Sequence, residues 1–153
     1  VVVRYSVGES SVADVVSHLT LCDAGFVPPL SLRTDLRDYA ERLVDRSTRF
    51  EAWHDDELVG LVAAYLDGAA DRSAFITSVS VVPAWGRRGI ASRLLERAVD
   101  RARGLGLARV RLEVGEGSGA LALYRLAGFA ATTTTSPTVT MELTLDSKDD
   151  HGN

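Results

Sequence analysis

Cysteine and lysine are nearly missing from this sequence: its 153 residues hold one of each, Cys22 and Lys148. A single cysteine excludes an internal disulfide and points to a reducing compartment. Long apolar runs are also missing. None approaches the roughly 20 residues that a bilayer span needs, so no transmembrane helix is expected. The first residues, VVVRYSVGESS, show no basic region followed by a long apolar stretch. No secretory signal is therefore expected, and the expected location is cytoplasmic. Histidine, cysteine and carboxylates nowhere share metal-ligand spacing, so no metal is expected. Neither the G-x-S-x-G elbow of a serine hydrolase nor the G-x-x-x-x-G-K-[ST] phosphate loop occurs.

What is present suits one compact domain. The chain is 46% hydrophobic and 25% charged, with a net charge of −4. A domain of this length buries its own core. The charge is unevenly spread: residues 87–125 carry nine arginines against four acids, net +5, and the remainder carries −9. A basic segment inside an acidic chain points to a local anionic ligand, although the same arginines also suit the solvated face of a helix. Nucleic acid is disfavoured as a partner, because the chain is acidic and no aromatics interleave the basic segment.

Periodicity predicts alternating strands and helices. Residues 1–7 read as a β-branched strand. Residues 10–21 read as a helix capped by Ser10 or Ser11, with Val12, Val15, Val16 and Leu19 on one face. Pro28-Pro29 breaks the chain before a second helical pattern over 35–50. Residues 50–54 and 57–66 form a predicted hairpin across Asp55-Asp56, and 67–72 a loop. A strand over 74–82 ends at Pro83, which cannot continue a ladder. Ile90, Leu94, Leu95, Ala98, Val99 and Ala102 form one stripe of a helix over 90–103, with Arg93, Arg97, Arg101 and Arg103 off it. A strand over 108–114, a glycine-rich loop over 115–119, a short helix over 120–127 and a strand over 138–145 complete the pattern. Residues 146–153 read as a polar tail. The class is mixed α/β.

The informative run is Val79-Ser80-Val81-Val82-Pro83-Ala84-Trp85-Gly86-Arg87-Arg88-Gly89-Ile90-Ala91-Ser92-Arg93. A glycine turn entering a helix leaves the first helical N–H groups unpaired, and with the helix dipole they form a phosphate site. Gly89 and Ala91 are small enough for close approach, and Arg87, Arg88 and Arg93 supply charge.

Together with a second block, Ala120-Leu121-Ala122-Leu123-Tyr124-Arg125-Leu126-Ala127-Gly128-Phe129, this turn resembles the GNAT superfamily of acyl-CoA-dependent N-acetyltransferases. That family carries a strand, a [QR]-x-x-G-x-[GA] turn and a long helix, then Asn, Ala, Tyr and Gly-Phe. Gly89 and Ala91 match the small positions of the turn, and Ala120, Tyr124, Gly128 and Phe129 match the second block. Two positions depart: Gly86 stands where Gln or Arg is usual, and Gly117 where Asn is usual.

The resemblance implies a single domain over residues 1–145, with a central twisted, mostly antiparallel sheet. The sheet would be split in a V between two central strands and flanked by helices. It implies acetyl-CoA as acyl donor. Backbone groups of Val79, Ser80 and Val81 would hold the thioester and pantetheine arm, and the amides of Arg87, Arg88, Gly89, Ile90, Ala91 and Ser92 the pyrophosphate. Ser118 is the candidate to replace the missing Asn. Tyr124 is the candidate general acid, or else a packing residue of its helix. Glu113 is the candidate base, or else faces solvent or pairs with Arg111; a bound water is the other base. Thr77 and Ser78 would face the acceptor, as would Pro29 and Leu30 from the connection between the first two helices. The implied reaction is direct transfer of an acetyl group to a primary amine of a small molecule. Transfer to a protein or peptide amine is the alternative, as is a catalytically weak acyl-CoA-binding regulatory domain. An edge strand such as the last one offers a route to a homodimer.

Overall fold

The computed structural model describes residues 2–26, 28–68 and 70–145. Their order is β1 (Arg4–Val7), α1 (Val12–Cys22), α2 (Leu36–Arg46), β2 (Thr48–His54), β3 (Glu57–Gly68), β4 (Ser73–Val81), α3 (Ile90–Gly104), β5 (Arg109–Gly115), α4 (Ala120–Leu126), β6 (Ala130–Thr135) and β7 (Thr138–Thr144). Short 3-10 turns stand at Asp23–Gly25, Leu30–Leu32 and Pro83–Trp85. The expected polar tail and Val1 lie outside the described residues. Among the described residues no helix is long and apolar enough to cross a membrane.

Local chemistry sets the helix starts. Ser11 and Asp14 form a reciprocal capping box on α1: the Ser11 hydroxyl accepts from the Asp14 amide at 3.1 Å, and the Asp14 carboxylate accepts from the Ser11 amide at 2.9 Å. Asp35 caps α2 by accepting from the Asp38 amide at 3.0 Å. That helix is shorter than its apolar pattern suggests. It ends at Ser47, whose hydroxyl turns back to the Leu43 carbonyl at 2.7 Å, and Thr48 and Arg49 already belong to β2.

Seven strands form one sheet in the order β1-β2-β3-β4-β5-β7-β6. Every pairing is antiparallel except that of β4 with β5. Two findings differ from the sequence reading. Ala130–Thr135 is a strand, unforeseen because its Ala-Thr run is exposed on both faces and so carries no alternation. Nor is the last strand an edge: β7 lies between β5 and β6, and the described edges are β1 and β6. The chain leaves Phe129 along the outside as β6 and returns inward as β7.

Each face of the sheet is covered by two helices. On one, α1 and α2 pack Val15, Leu19, Ala40 and Leu43 against Trp53, Leu58, Leu61 and Ala63. On the other, α3 and α4 pack Leu94, Leu95, Ala98 and Tyr124 against Phe50, Val62, Ile76 and Leu112. Gly60 lets α3 settle close, since a Cβ there would stand 2.7 Å from Ile90 Cγ2.

Candidate active site

Strands β4 and β5 part company early. Their ladder runs from Ser73↔Arg109 to Ile76↔Leu112 and stops. Beyond it β4 is held by β3 alone and β5 by β7 alone, leaving backbone groups of both strands free along the facing edges. At the parting β4 carries a bulge: Ala64 pairs with Ile76 and Ala63 with Ser78, so Thr77 is the extra residue. A bulge resets the alternation of faces. Before it Ala74 and Ile76 point to the α3 side; after it Val79 and Val81 do, and Ser78 and Ser80 turn toward α1 and α2. Ser78 is buried and its hydroxyl has no hydrogen-bond partner. On β5, Val110 and Leu112 face the α3 side, which places the exposed Glu113 on the α1/α2 side. Arg111 does not pair with it; its guanidinium lies 3.9 Å from the Asp71 carboxylate.

The turn after β4 is a shaped concavity. The Trp85 amide bonds the Val82 carbonyl at 2.8 Å and the Gly86 amide that of Pro83 at 3.1 Å. Arg87 (φ 63°) and Gly89 (φ 76°) then swing the chain into α3. The first intrahelical bond is Arg93 to Gly89 at 3.0 Å, so the amides of Ile90, Ala91 and Ser92 open forward, with the positive end of the helix dipole behind them. A Cβ on Gly89 would meet nothing within 4 Å, so the space before the turn is open. It continues into a groove of about 580 Å³ between α3 and α4, lined among others by Gly89, Ser92, Arg93, Leu123 and Leu126. Arg88 lies over the Trp85 ring at 4.7 Å, and the His54 ring meets the same indole at 4.7 Å. The turn thus offers backbone donors and cationic side chains to an anion of pyrophosphate size.

Tyr124 sits on the α3/α4 side, buried, its ring edge-on to Phe129 at 6.1 Å. Burial pushes its phenol up to about 12, so it holds its proton at neutral pH. The free strand edge of β4 runs into the anion turn, and the protonated phenol of Tyr124 lies on the α3/α4 face of the same sheet. The model of the Acetyltransferase (GNAT) family matches residues 14–129. The chain belongs to this family.

No curated protein is significantly similar to this GNAT chain in sequence. Solved structures share its fold. The PaiA N-acetyltransferase of Thermoplasma acidophilum, in complex with coenzyme A, is 16% identical, with TM-score 0.74 over 92% of this chain and 99% of that one. The ribosomal-protein-S18-alanine N-acetyltransferase of Escherichia coli is 19% identical, with TM-score 0.73 over 93% and 94%. A Bacillus subtilis acetyltransferase in complex with CoA is 20% identical, with TM-score 0.71 over 94% and 99%.

Of the remaining residues singled out by sequence, Ile90 is buried in the core, Ala91 is half-buried and Ser92 exposed. The Ser118 hydroxyl accepts from the Ala120 amide at 3.1 Å, just before α4, while Gly117 is exposed with open space around it. Pro29 is half-buried. Leu30 packs beneath α1 and α2, so its side chain belongs to the core there, and Leu32 of the same connection is exposed.

Sequence reasoning missed the polar contacts made from α1 and α2. His18 is buried; its Nδ1 lies 2.8 Å from the Leu58 carbonyl and its Nε2 2.8 Å from the Ser80 hydroxyl. A carbonyl only accepts, so Nδ1 carries the hydrogen and Nε2 accepts from Ser80. Burial holds the imidazole down at about 4. The Cys22 sulfur stands 3.6 Å from the same Nε2, and burial pushes that thiol up to about 11. From α2 the Tyr39 hydroxyl donates to the Thr77 carbonyl at 3.1 Å. The available signal was spacing: His18 and Cys22 stand at i+3 and i+7 from Val15 and so belong to the buried stripe. A second cavity of about 490 Å³ lies between α1 and the β2–β3 turn, bordered by Asp14, Ser17, His18, Asp55, Asp56 and Glu57.

Proposed function

We propose that this GNAT domain transfers an acetyl group from acetyl-CoA to a primary amine of a small molecule, by direct attack with both substrates bound. The observation that carries the reading is the parting of β4 from β5 after Ile76 and Leu112, directly beside the open N-terminus of α3. The free edge of residues 77–81 suits the amide-bearing pantetheine arm, and the forward amides of Ile90, Ala91 and Ser92 suit the pyrophosphate. The groove between α3 and α4 takes the rest of the donor.

The two sides of the gap divide the proton chemistry. Glu113 on the α1/α2 side, or a water it holds, takes a proton from the acceptor ammonium. The amine nitrogen then attacks the thioester carbon: a C–N bond forms and the C–S bond breaks. Backbone N–H groups near Val81 stabilise the oxyanion, a contribution of about 3 kcal/mol for a preorganised donor. Tyr124 on the α3/α4 side gives its proton to the departing thiolate and is restored by the second proton that the nitrogen sheds as the amide forms, a step of about 10²–10⁴-fold in rate. A small acceptor suits a connection between α1 and α2 that Leu30 ties into the core.

Calorimetric titration with acetyl-CoA, followed by thiol release with a panel of small amines and peptides, tests the proposal. Binding at micromolar concentration with thiol release for a small amine is the expected result. Release only with peptides would assign a protein acceptor, and binding without release a regulatory acyl-CoA domain. In the turnover assay Tyr124→Phe is expected to lose at least tenfold in kcat with acetyl-CoA affinity kept; unchanged kcat removes Tyr124 from the reaction.

A further inference from the structure

Once β4 leaves β5 it faces a mechanical difficulty. Residues 78–81 have a ladder on one side only and Thr77 on neither, and the other edge must stay extended and open to serve a ligand. An unpaired edge of this kind tends to close on its neighbour or to twist away. The structure shows what opposes this. At the bulge, where Thr77 has no partner residue on β3, the Tyr39 hydroxyl reaches from α2 to the Thr77 carbonyl at 3.1 Å. Three residues on, the Ser80 hydroxyl is held at 2.8 Å by His18 of α1, and the same imidazole is anchored at 2.8 Å on Leu58 at the start of β3. His18 therefore links three elements at one point, and the neutral ring with its fixed tautomer gives the link a single direction. Around these bonds α1 and α2 meet the sheet through apolar, non-directional contacts, as in the cluster of Val15, Leu19, Leu43, Leu61 and Ala63.

We propose that Tyr39 and His18 are positioning residues, which pin the free edge of β4 at Thr77 and Ser80 and so let the acceptor-side helices set the geometry of the donor-binding backbone. The inference rests on the reading of that edge as the acetyl-CoA site. Neither side chain touches the reacting atoms; each acts through the strand.

Tyr39→Phe removes one hydrogen bond and keeps the ring, and Ser80→Ala removes the anchor of His18 on β4 while leaving the strand backbone intact. Each variant is expected to raise the calorimetric Kd and the KM for acetyl-CoA by about threefold to tenfold, the worth of one hydrogen bond. The double variant multiplies the two effects, Ser80→Thr restores affinity, and in Tyr39→Phe kcat per folded molecule stays near that of the wild type. A merely structural role gives another pattern: partial unfolding lowers the active fraction, and hence apparent kcat, with KM unmoved. Affinities equal to wild type in both single variants, whatever happens to Tm, overturn the proposal. If Ser80→Ala does not fold, Tyr39→Phe decides alone. Lack of acetyl-CoA binding by the wild-type protein would overturn the donor site itself and this inference with it; binding by the wild type with unaltered variants removes only the pins.

Discussion

The protonation state of His18 is decided by its neighbours. One ring nitrogen faces a carbonyl that can only accept, the other faces a hydroxyl, and burial penalises the cation. With the folded imidazole at about 4 against an ordinary 6.5, the unfolded chain takes up the proton first as pH falls. The stability this group contributes is complete above pH 6.5 and is lost as pH drops toward 4, a change of roughly 2–3 kcal/mol. The hydrogen bond to the Leu58 carbonyl opposes the shift but is outweighed by burial; Asp14, Asp55, Asp56 and Glu57 border the cavity beside the ring. Urea unfolding of the wild type between pH 7 and about pH 4.5 is expected to show this decline, with a shallower one in His18→Gln. A wild type equally stable across that range would refute the neutral buried ring.

At the scale of elements, the approach of α3 to the sheet sets where its N-terminal amides stand. Ile90 and Leu94 rest on Gly60, and an alanine there would bring its Cβ to 2.7 Å and 3.1 Å from them. Gly60→Ala is expected to cost about 1–3 kcal/mol through overpacking and to weaken acetyl-CoA binding as Ile90 lifts the turn. An unchanged denaturation midpoint and affinity would show that α3 has slack at this end. Elements were legible in the sequence where one face is buried and the other wet. The α3 stripe from Ile90 to Ala102 and the β7 alternation of Val139, Met141 and Leu143 are of this kind. β6 was not legible, because Thr133, Thr134 and Thr135 are all exposed and hydrophobic patterning has nothing to act on. The bulge at Thr77 was hidden for a related reason: Val79-Ser80-Val81 alternates correctly, and only pairing with β3 reveals the extra residue.

At the scale of the whole molecule, a buried ion pair between Arg49 and Glu51 joins the first third of the chain to itself. Glu51 on β2 accepts from the Ser6 hydroxyl at 2.7 Å, from the Glu9 and Ser10 amides at 2.9 Å each, and from the Ser10 hydroxyl. Arg49, 3.4 Å from that carboxylate, also donates to the Ser10 carbonyl at 2.8 Å and to Val44 at 3.1 Å. The junction of β1 with α1 is thereby tied to β2 and to the end of α2. Glu51→Ala leaves the buried Arg49 without its counter-ion and the Glu9 and Ser10 amides without their acceptor, and is expected to cost about 3–5 kcal/mol. A loss under about 1 kcal/mol in urea unfolding would mean that water replaces the carboxylate.

The sequence by itself determined the family, the glycine turn before α3, the candidate acid Tyr124 and the four helices, because each is written in residues close together along the chain. Caps, glycine turns and apolar periods act over a few residues and leave a local trace. Tertiary structure alone decided that β7 enters between β5 and β6, that Arg111 turns to Asp71, and that Ser80 belongs to His18 and Thr77 to Tyr39. Those contacts join residues up to 62 positions apart. A hydrogen bond needs two groups within about 3 Å, and only the packed sheet and its helices bring such distant groups that close.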